Sequence, residues 1–250
     1  MKLIIANWKA YVTDEKAVRE LATAVGKIKL PKKTEIVLCP PFIFLSQLAA
    51  IRNAVFFVGA QDVFWGTGGA YTGQIIADML KAFRVRTVIV GHSERRRYAG
   101  ETDEIVNKKA LAALAAGLET IVCVGEQERE DPRMVPKSVG EQVRAALAGV
   151  AAPALKKLVI AYEPIWAISG AGGRADTPND ALSAAIYIRK TVGELYGAKS
   201  AATLRVLYGG SVNAHNARAF LHQEGIDGLL VGKASTDKKE FAGIIAAGLE

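Results

Sequence analysis

Cysteine is scarce in this chain, histidine nearly as scarce, and neither falls into a pattern that binds anything. The two cysteines, Cys39 and Cys123, each lie inside or at the end of a β-rich apolar run (Glu35 to Cys39 and Thr120 to Val124). Buried free thiols in a reducing compartment are expected there, not a disulfide framework. The three histidines, His92, His215 and His222, are scattered and share no metal-ligand spacing with the cysteines, so no metal site is expected. Long apolar runs are missing too. The longest stretch without strongly polar side chains, Ala145 to Leu155, is broken by Pro153 and falls far short of the ~18 residues that span a bilayer. Met1 to Ala6 is apolar only briefly before Asn7-Trp8-Lys9, which is too little for the h-region of a secretory signal. A cytoplasmic location without membrane association is the expectation.

What is present is a folding composition. With 50% hydrophobic and 23% charged residues among 250, disorder is excluded, and the length suits one large α/β domain as well as two smaller ones. The net charge of +7 is compatible with nucleic acid and equally with a small anion drawn in by the field. Its basic residues come as short groups spread along the chain (Lys32-Lys33, Arg95-Arg96-Arg97, Lys108-Lys109, Lys156-Lys157, Lys238-Lys239). That distribution describes a solvated surface, and no nucleic-acid partner is expected.

Eight short β-branched runs punctuate the chain: Leu3 to Ala6, Glu35 to Cys39, Val55 to Ala60, Thr87 to Gly91, Thr120 to Val124, Leu158 to Tyr162, Leu204 to Tyr208 and Gly228 to Val231. Helix-period stretches lie between them. Ser138 with Glu141 reads as a capping box, Thr177-Pro178 as an N-cap followed by proline, and Gly117, Gly197 and Gly225 stand where helices should stop. The runs are almost uniformly apolar, as strands buried on both faces are, and parallel strands joined by helical crossovers follow. With no linker or low-complexity segment, the expectation is a single α/β domain over residues 1–250, a closed (β/α)8 barrel. A doubly wound open sheet is less suitable, because Ala6-Asn7-Trp8-Lys9 stands where its Gly-x-Gly-x-x-Gly turn should be.

In such a barrel the active site is built at the C-terminal ends of the strands. Those positions hold Asn7 and Lys9, Gln61, His92-Ser93-Glu94, Glu126, Glu163, Gly209-Gly210-Ser211 and Gly232-Lys233. One mouth thus collects an amide, an ammonium, an imidazole, carboxylates and two glycine turns. The turns follow the seventh and eighth strands, where barrels of this kind hold phosphate on backbone N–H groups.

Asn7-Trp8-Lys9, Gly91-His92-Ser93-Glu94-Arg95-Arg96, Cys123-Val124-Gly125-Glu126, Ala161 to Ile168, Tyr208-Gly209-Gly210-Ser211-Val212 and Leu230-Val231-Gly232 closely resemble the triosephosphate isomerase family in order and spacing. The resemblance runs from residue 3 to the C-terminal helix. It implies a cofactor-free isomerase of glycolysis and gluconeogenesis, interconverting dihydroxyacetone phosphate and D-glyceraldehyde 3-phosphate through an enediol(ate). Glu163 would carry the proton, and His92, Lys9 and Asn7 would steady the oxygen that gains charge. Ser169, Gly170, Ser211, Gly232 and Lys233 would hold the phosphate. Glu94 is expected to tie to Lys9 across the mouth; Arg95 and Glu126 are expected in supporting ion pairs, and Cys123 beside the site. A barrel isomerase of larger sugar phosphates, or a basic nucleic-acid-binding relative, would not be expected to keep Asn7, Lys9, His92 and Glu163 together.

The segment after Glu163 has a stiff Pro164-Ile165-Trp166 end and a glycine-rich tip, the makings of a water-excluding lid. It departs from the family pattern: Ser169 to Gly173 is two residues longer than the usual tip, Arg174 stands for its lysine, and either Ser169 or Gly170 suits the phosphate. Ala10 and Tyr11 replace a long apolar residue and asparagine, and Lys233 replaces a common glycine. Between Gln61 and Gln74 a long loop carries Phe64, Trp65 and Tyr71, an apolar load that a partner surface would cover. In the family this loop docks on a second subunit through the residue matching Thr72, so a homodimer is expected.

Overall fold

The computed structural model describes residues 1–52, 54–129, 131, 134–168 and 176–248. Its strands are β1 (Lys2–Asn7), β2 (Thr34–Cys39), β3 (Phe57–Ala60), β4 (Thr87–Val90), β5 (Glu119–Val124), β6 (Leu158–Tyr162), β7 (Arg205–Tyr208) and β8 (Gly228–Val231). Each pairs parallel with the next, and β8 pairs with β1, so the sheet closes into the expected eight-stranded barrel. Around it run α1 (Glu15–Gly26), α2 (Leu45–Ala49), α3 (Ala77–Ala82), α4 (Ser93–Ala99), α5 (Asp103–Ala115), α6 (Lys137–Ala146), α7 (Pro178–Tyr196), α8 (Ala198–Thr203), α9 (Ala217–His222) and α10 (Lys238–Ala246). Two helices therefore follow β4 and two follow β6, more than the simple alternation expected. None of the described helices is long and apolar enough to cross a membrane.

Strand period splits the core in two. Leu3, Ile5, Val37, Cys39, Ile89, Ile121, Cys123, Val159, Ala161, Leu207 and Leu230 form a cluster of strand residues only, which fills the barrel. Their sequence neighbours, such as Ile4, Ala6, Ile36, Leu38 and Ile160, join the helices in the outer cluster. Both cysteines are free and buried in the inner layer. At the opposite end from the strand C-termini, Arg86 makes a bidentate pair with Glu35 at 3.1 and 3.2 Å, Arg205 pairs with Glu119, and Thr87 donates to Glu119 at 3.1 Å. Charges from four strand starts thus close the barrel floor.

Thr177 caps α7 by accepting from the Asp180 N–H at 3.2 Å, with Pro178 in the first turn as expected. Gly197 ends that helix at φ 84, a left-handed position that suits glycine. The capping box at Ser138 does not form. Pro136 occupies the cap of α6 and offers no side-chain acceptor, so the helix starts at Lys137 and Ser138 falls inside its first turn. β3 also starts later than its sequence run, because pairing with β2 begins only at Phe57.

Candidate active site

The inward period that places Leu3 and Ile5 continues to Asn7, and the one that places Val159 and Ala161 continues to Glu163. Both side chains therefore stand over the barrel axis at its C-terminal mouth, 4% and 3% exposed. His92 arrives differently. Gly91, at φ 71, turns the chain after β4, and His92 becomes the N-cap of α4. Its Nδ1 accepts from the Glu94 N–H at 3.2 Å, which leaves the ring proton on Nε2. Nε2 lies 3.1 Å from one Glu163 oxygen, while the other accepts from the Ser93 N–H at 3.0 Å.

Lys9 holds a left-handed backbone conformation at φ 48, unusual for a residue with a side chain and stabilised by neighbours on both sides. Its N–H donates to the Asn7 side chain at 3.1 Å, and Gln61 donates to its carbonyl at 3.0 Å and to that of Cys39 at 3.0 Å. The ammonium donates to Glu94 at 2.7 Å, the pair expected across the mouth. Gln61 stands out in the sequence only as a strand-end residue; its bracing of the Lys9 turn emerges from the fold.

The glycine turns close one side of the same cavity, about 570 Å³ in volume, whose lining includes Asn7, Lys9, His92, Glu163, Ser211, Gly232 and Lys233. Glycine is required by close approach: a Cβ on Gly209 would stand 3.0 Å from the Glu163 Cγ, and one on Gly210 would stand 2.2 Å from the Tyr208 hydroxyl. Asn216 fixes the first turn by donating to the Ser211 carbonyl at 2.9 Å, and Ser235 fixes the second by donating to Gly232 at 2.7 Å. Lys233 opens the short 3₁₀ turn that follows β8. Ser169 and Gly170 lie outside the described residues.

Cys123 sits within the barrel beneath Glu163; burial first, and the nearby Glu163 charge second, push its thiol well up from the ordinary range. Such a thiol stays protonated and inert. Glu126, 3% exposed, accepts from the Tyr162 hydroxyl at 2.7 Å and from the Trp166 indole at 2.9 Å, with Arg129 at 3.4 Å. Arg95 pairs with Asp62 at 2.9 Å and Glu101 at 2.5 Å, and buried Lys109 joins the same two carboxylates at 2.6 and 2.5 Å. Asp62, Glu101 and Lys109 carry no motif in the sequence, because three separate segments bring them together. Thr72 is exposed in the loop after β3 and does not line the cavity.

A parallel barrel whose mouth carries a carboxylate against an imidazole, a tethered ammonium and paired glycine turns is a phosphate-handling barrel built for proton transfer. That defines the class. The chain belongs to the triosephosphate isomerase family, whose model matches residues 2–248. It is 46% identical over 249 residues to the triosephosphate isomerase of Moorella thermoacetica, with 97% of each chain covered. It is 45% identical over 246 residues to that of Caldanaerobacter subterraneus, covering 97% of this chain and 98% of the other. To that of Chloroflexus aurantiacus it is 45% identical over 248 residues, with 97% of each covered.

Proposed function

We propose that this chain interconverts dihydroxyacetone phosphate and D-glyceraldehyde 3-phosphate by proton transfer through an enediol(ate), as one catalytic unit over residues 1–250. The observation that carries the reading is the Glu163 carboxylate 3.1 Å from the His92 Nε2, in a cavity shared with Lys9 and the glycine turns. Glu163 takes the proton beside the carbonyl and returns it to the neighbouring carbon. As the carbonyl oxygen gains charge, the Nε2–H of His92, the Lys9 ammonium and the Asn7 amide stabilise it; they are positioned beforehand, so little reorganisation accompanies the step. A neutral imidazole suits the task, since it donates to the oxyanion without adding a second full charge. The turns at Ser211 and at Gly232-Lys233, with Ser169 and Gly170, hold the phosphate. No cofactor takes part in these steps.

The reading includes a homodimer in the cytoplasm. Trp65 and Tyr71 on the Thr72 loop are 37% and 48% exposed, and Ile43 and Tyr98 are 77% and 75% exposed. Apolar surface of this kind favours a partner. Purified protein supplied with D-glyceraldehyde 3-phosphate and a coupled readout of dihydroxyacetone phosphate tests the activity, and absence of turnover would overturn it. Sedimentation equilibrium tests the assembly, and a monomer at micromolar concentration would refute that part.

A further inference from the structure

Glu163 follows the last residue of β6, and its backbone is held from the strands on either side. Its N–H donates to the Val124 carbonyl at 2.8 Å, one step past the final β5–β6 pair of Val124 with Tyr162. Glycine then faces it from both neighbours. A Cβ on Gly209, after β7, would stand 3.0 Å from the Glu163 Cγ, and one on Gly125, after β5, would overlap the Glu163 carbonyl oxygen. Gly125 does not have a left-handed backbone, so space rather than torsion demands glycine there. The contact is backbone on backbone, and neither surface can yield by turning a side chain.

Gly125 is kept against that surface by one side chain. It is buried, lies beyond the end of β5, and has no backbone hydrogen-bond partner among the described residues. Gln142 of α6 satisfies both of its groups: the Gly125 N–H donates to Oε1 at 2.9 Å, and Nε2 donates to the Gly125 carbonyl at 2.9 Å. A carboxamide offers an acceptor and a donor side by side, so it replaces the strand partner that Gly125 lacks. Without it, two buried backbone groups would be left unpaired. The next residue carries the hold forward, since the Glu126 carbonyl accepts from the Ile165 N–H at 3.0 Å and its carboxylate from the Trp166 indole at 2.9 Å. Gln142 is not among the described residues that line the cavity shared by Glu163 and His92, so any influence on the reaction is indirect.

We infer that Gln142 is a positioning residue for the proton carrier: by clamping both backbone groups of Gly125 it sets the surface on which the Glu163 backbone rests, and thereby the aim of the carboxylate. The inference rests on the isomerase reading, because proton transfer is what that aim serves. The turns at Ser211 and Gly232 follow β7 and β8, away from the clamp, and phosphate binding is left as it was.

Steady-state kinetics of the wild type and of Gln142→Met, which keeps the length of the side chain without its paired donor and acceptor, test this. In the variant kcat should fall about tenfold, short of the ~10²-fold that a full ångström of misplacement can cost, while KM for glyceraldehyde 3-phosphate stays within about twofold. Inhibition by inorganic phosphate should be equal in the two enzymes. Gly125→Ala reaches the same contact from the other side and should lower kcat with the same constancy of KM. In the double variant the losses should not multiply, since both changes act on one contact. Circular dichroism establishes folding, and either single variant serves where the other does not fold. A folded Gln142→Met with unchanged kcat, whatever its thermal midpoint, would overturn the inference, as would a loss carried by KM or losses that multiply in the double variant. A wild type that fails to isomerise would instead overturn the functional reading.

Discussion

Glu163 is the proton carrier of the proposed reaction, and its environment allows an informative substitution. Its two oxygens face two donors, the His92 Nε2–H and the Ser93 N–H, and a glutamine of nearly the same volume keeps an acceptor for one of them. Glu163→Gln should keep the circular dichroism of the parent and lose at least the ~10²–10⁴-fold in kcat typical of a positioned base. Asp176, which accepts from the Thr177 N–H just before α7, bears on stability. Its carboxyl is raised to about 7, so between about pH 4 and pH 7 the folded protein holds a proton that the unfolded chain has released. Stability contributed at this site therefore falls as pH rises across that window and levels off above it. Urea unfolding at several pH values should show Asp176→Asn gaining on the wild type over the same interval; parallel curves would contradict the assignment. Asn7, Lys9, His92 and Glu163 were legible in the sequence because each follows a strand run, where a barrel exposes its chemistry. Asp176 and Arg129 were not, since a buried charge is revealed only by neighbours drawn from distant segments.

Among the elements, the strands were the most readable and the helix starts the least. Leu158–Tyr162 and Gly228–Val231 match their apolar runs residue for residue, because strands buried on both faces leave little polar ambiguity at their ends. Capping depends on the backbone torsion of one residue, which composition does not reveal. Ser138-x-x-Glu141 has the right letters and no cap, whereas Thr177 has both the extended backbone and the bond to Asp180. Thr177→Ala should destabilise the start of α7 by about 1 kcal/mol, read as a lower urea midpoint with an unchanged m-value. An unaltered midpoint would mean that Pro178 alone sets that end.

At the scale of the whole molecule, buried charge outside the active site joins elements that the strand pattern does not link. Lys109 of α5 reaches Glu101 and Asp62, with Arg95 of α4 on the same carboxylates. Lys109→Met would leave two buried carboxylates to one guanidinium and should cost about 3–5 kcal/mol, visible as a fall in thermal midpoint; a change below ~1 kcal/mol would show that Arg95 suffices. A single closed barrel was legible from eight apolar runs with helices between them, but which helices share such a network was not.

Closure of the sheet also sets the order of events on the ribosome. Leu3 pairs with Gly228 and Ala6 with Val231, so the first strand synthesised finds its second neighbour only when the last has been made. Until then Lys2–Asn7 has a bare edge, and so does whichever strand emerged most recently. Every nascent copy passes through a phase in which an apolar ribbon with two adhesive margins is exposed beside others on the same messenger. Contacts so distant along the chain form slowly. The feature that removes sheet edges from the finished protein leaves the unfinished one with two of them until Gly228–Val231 is in place.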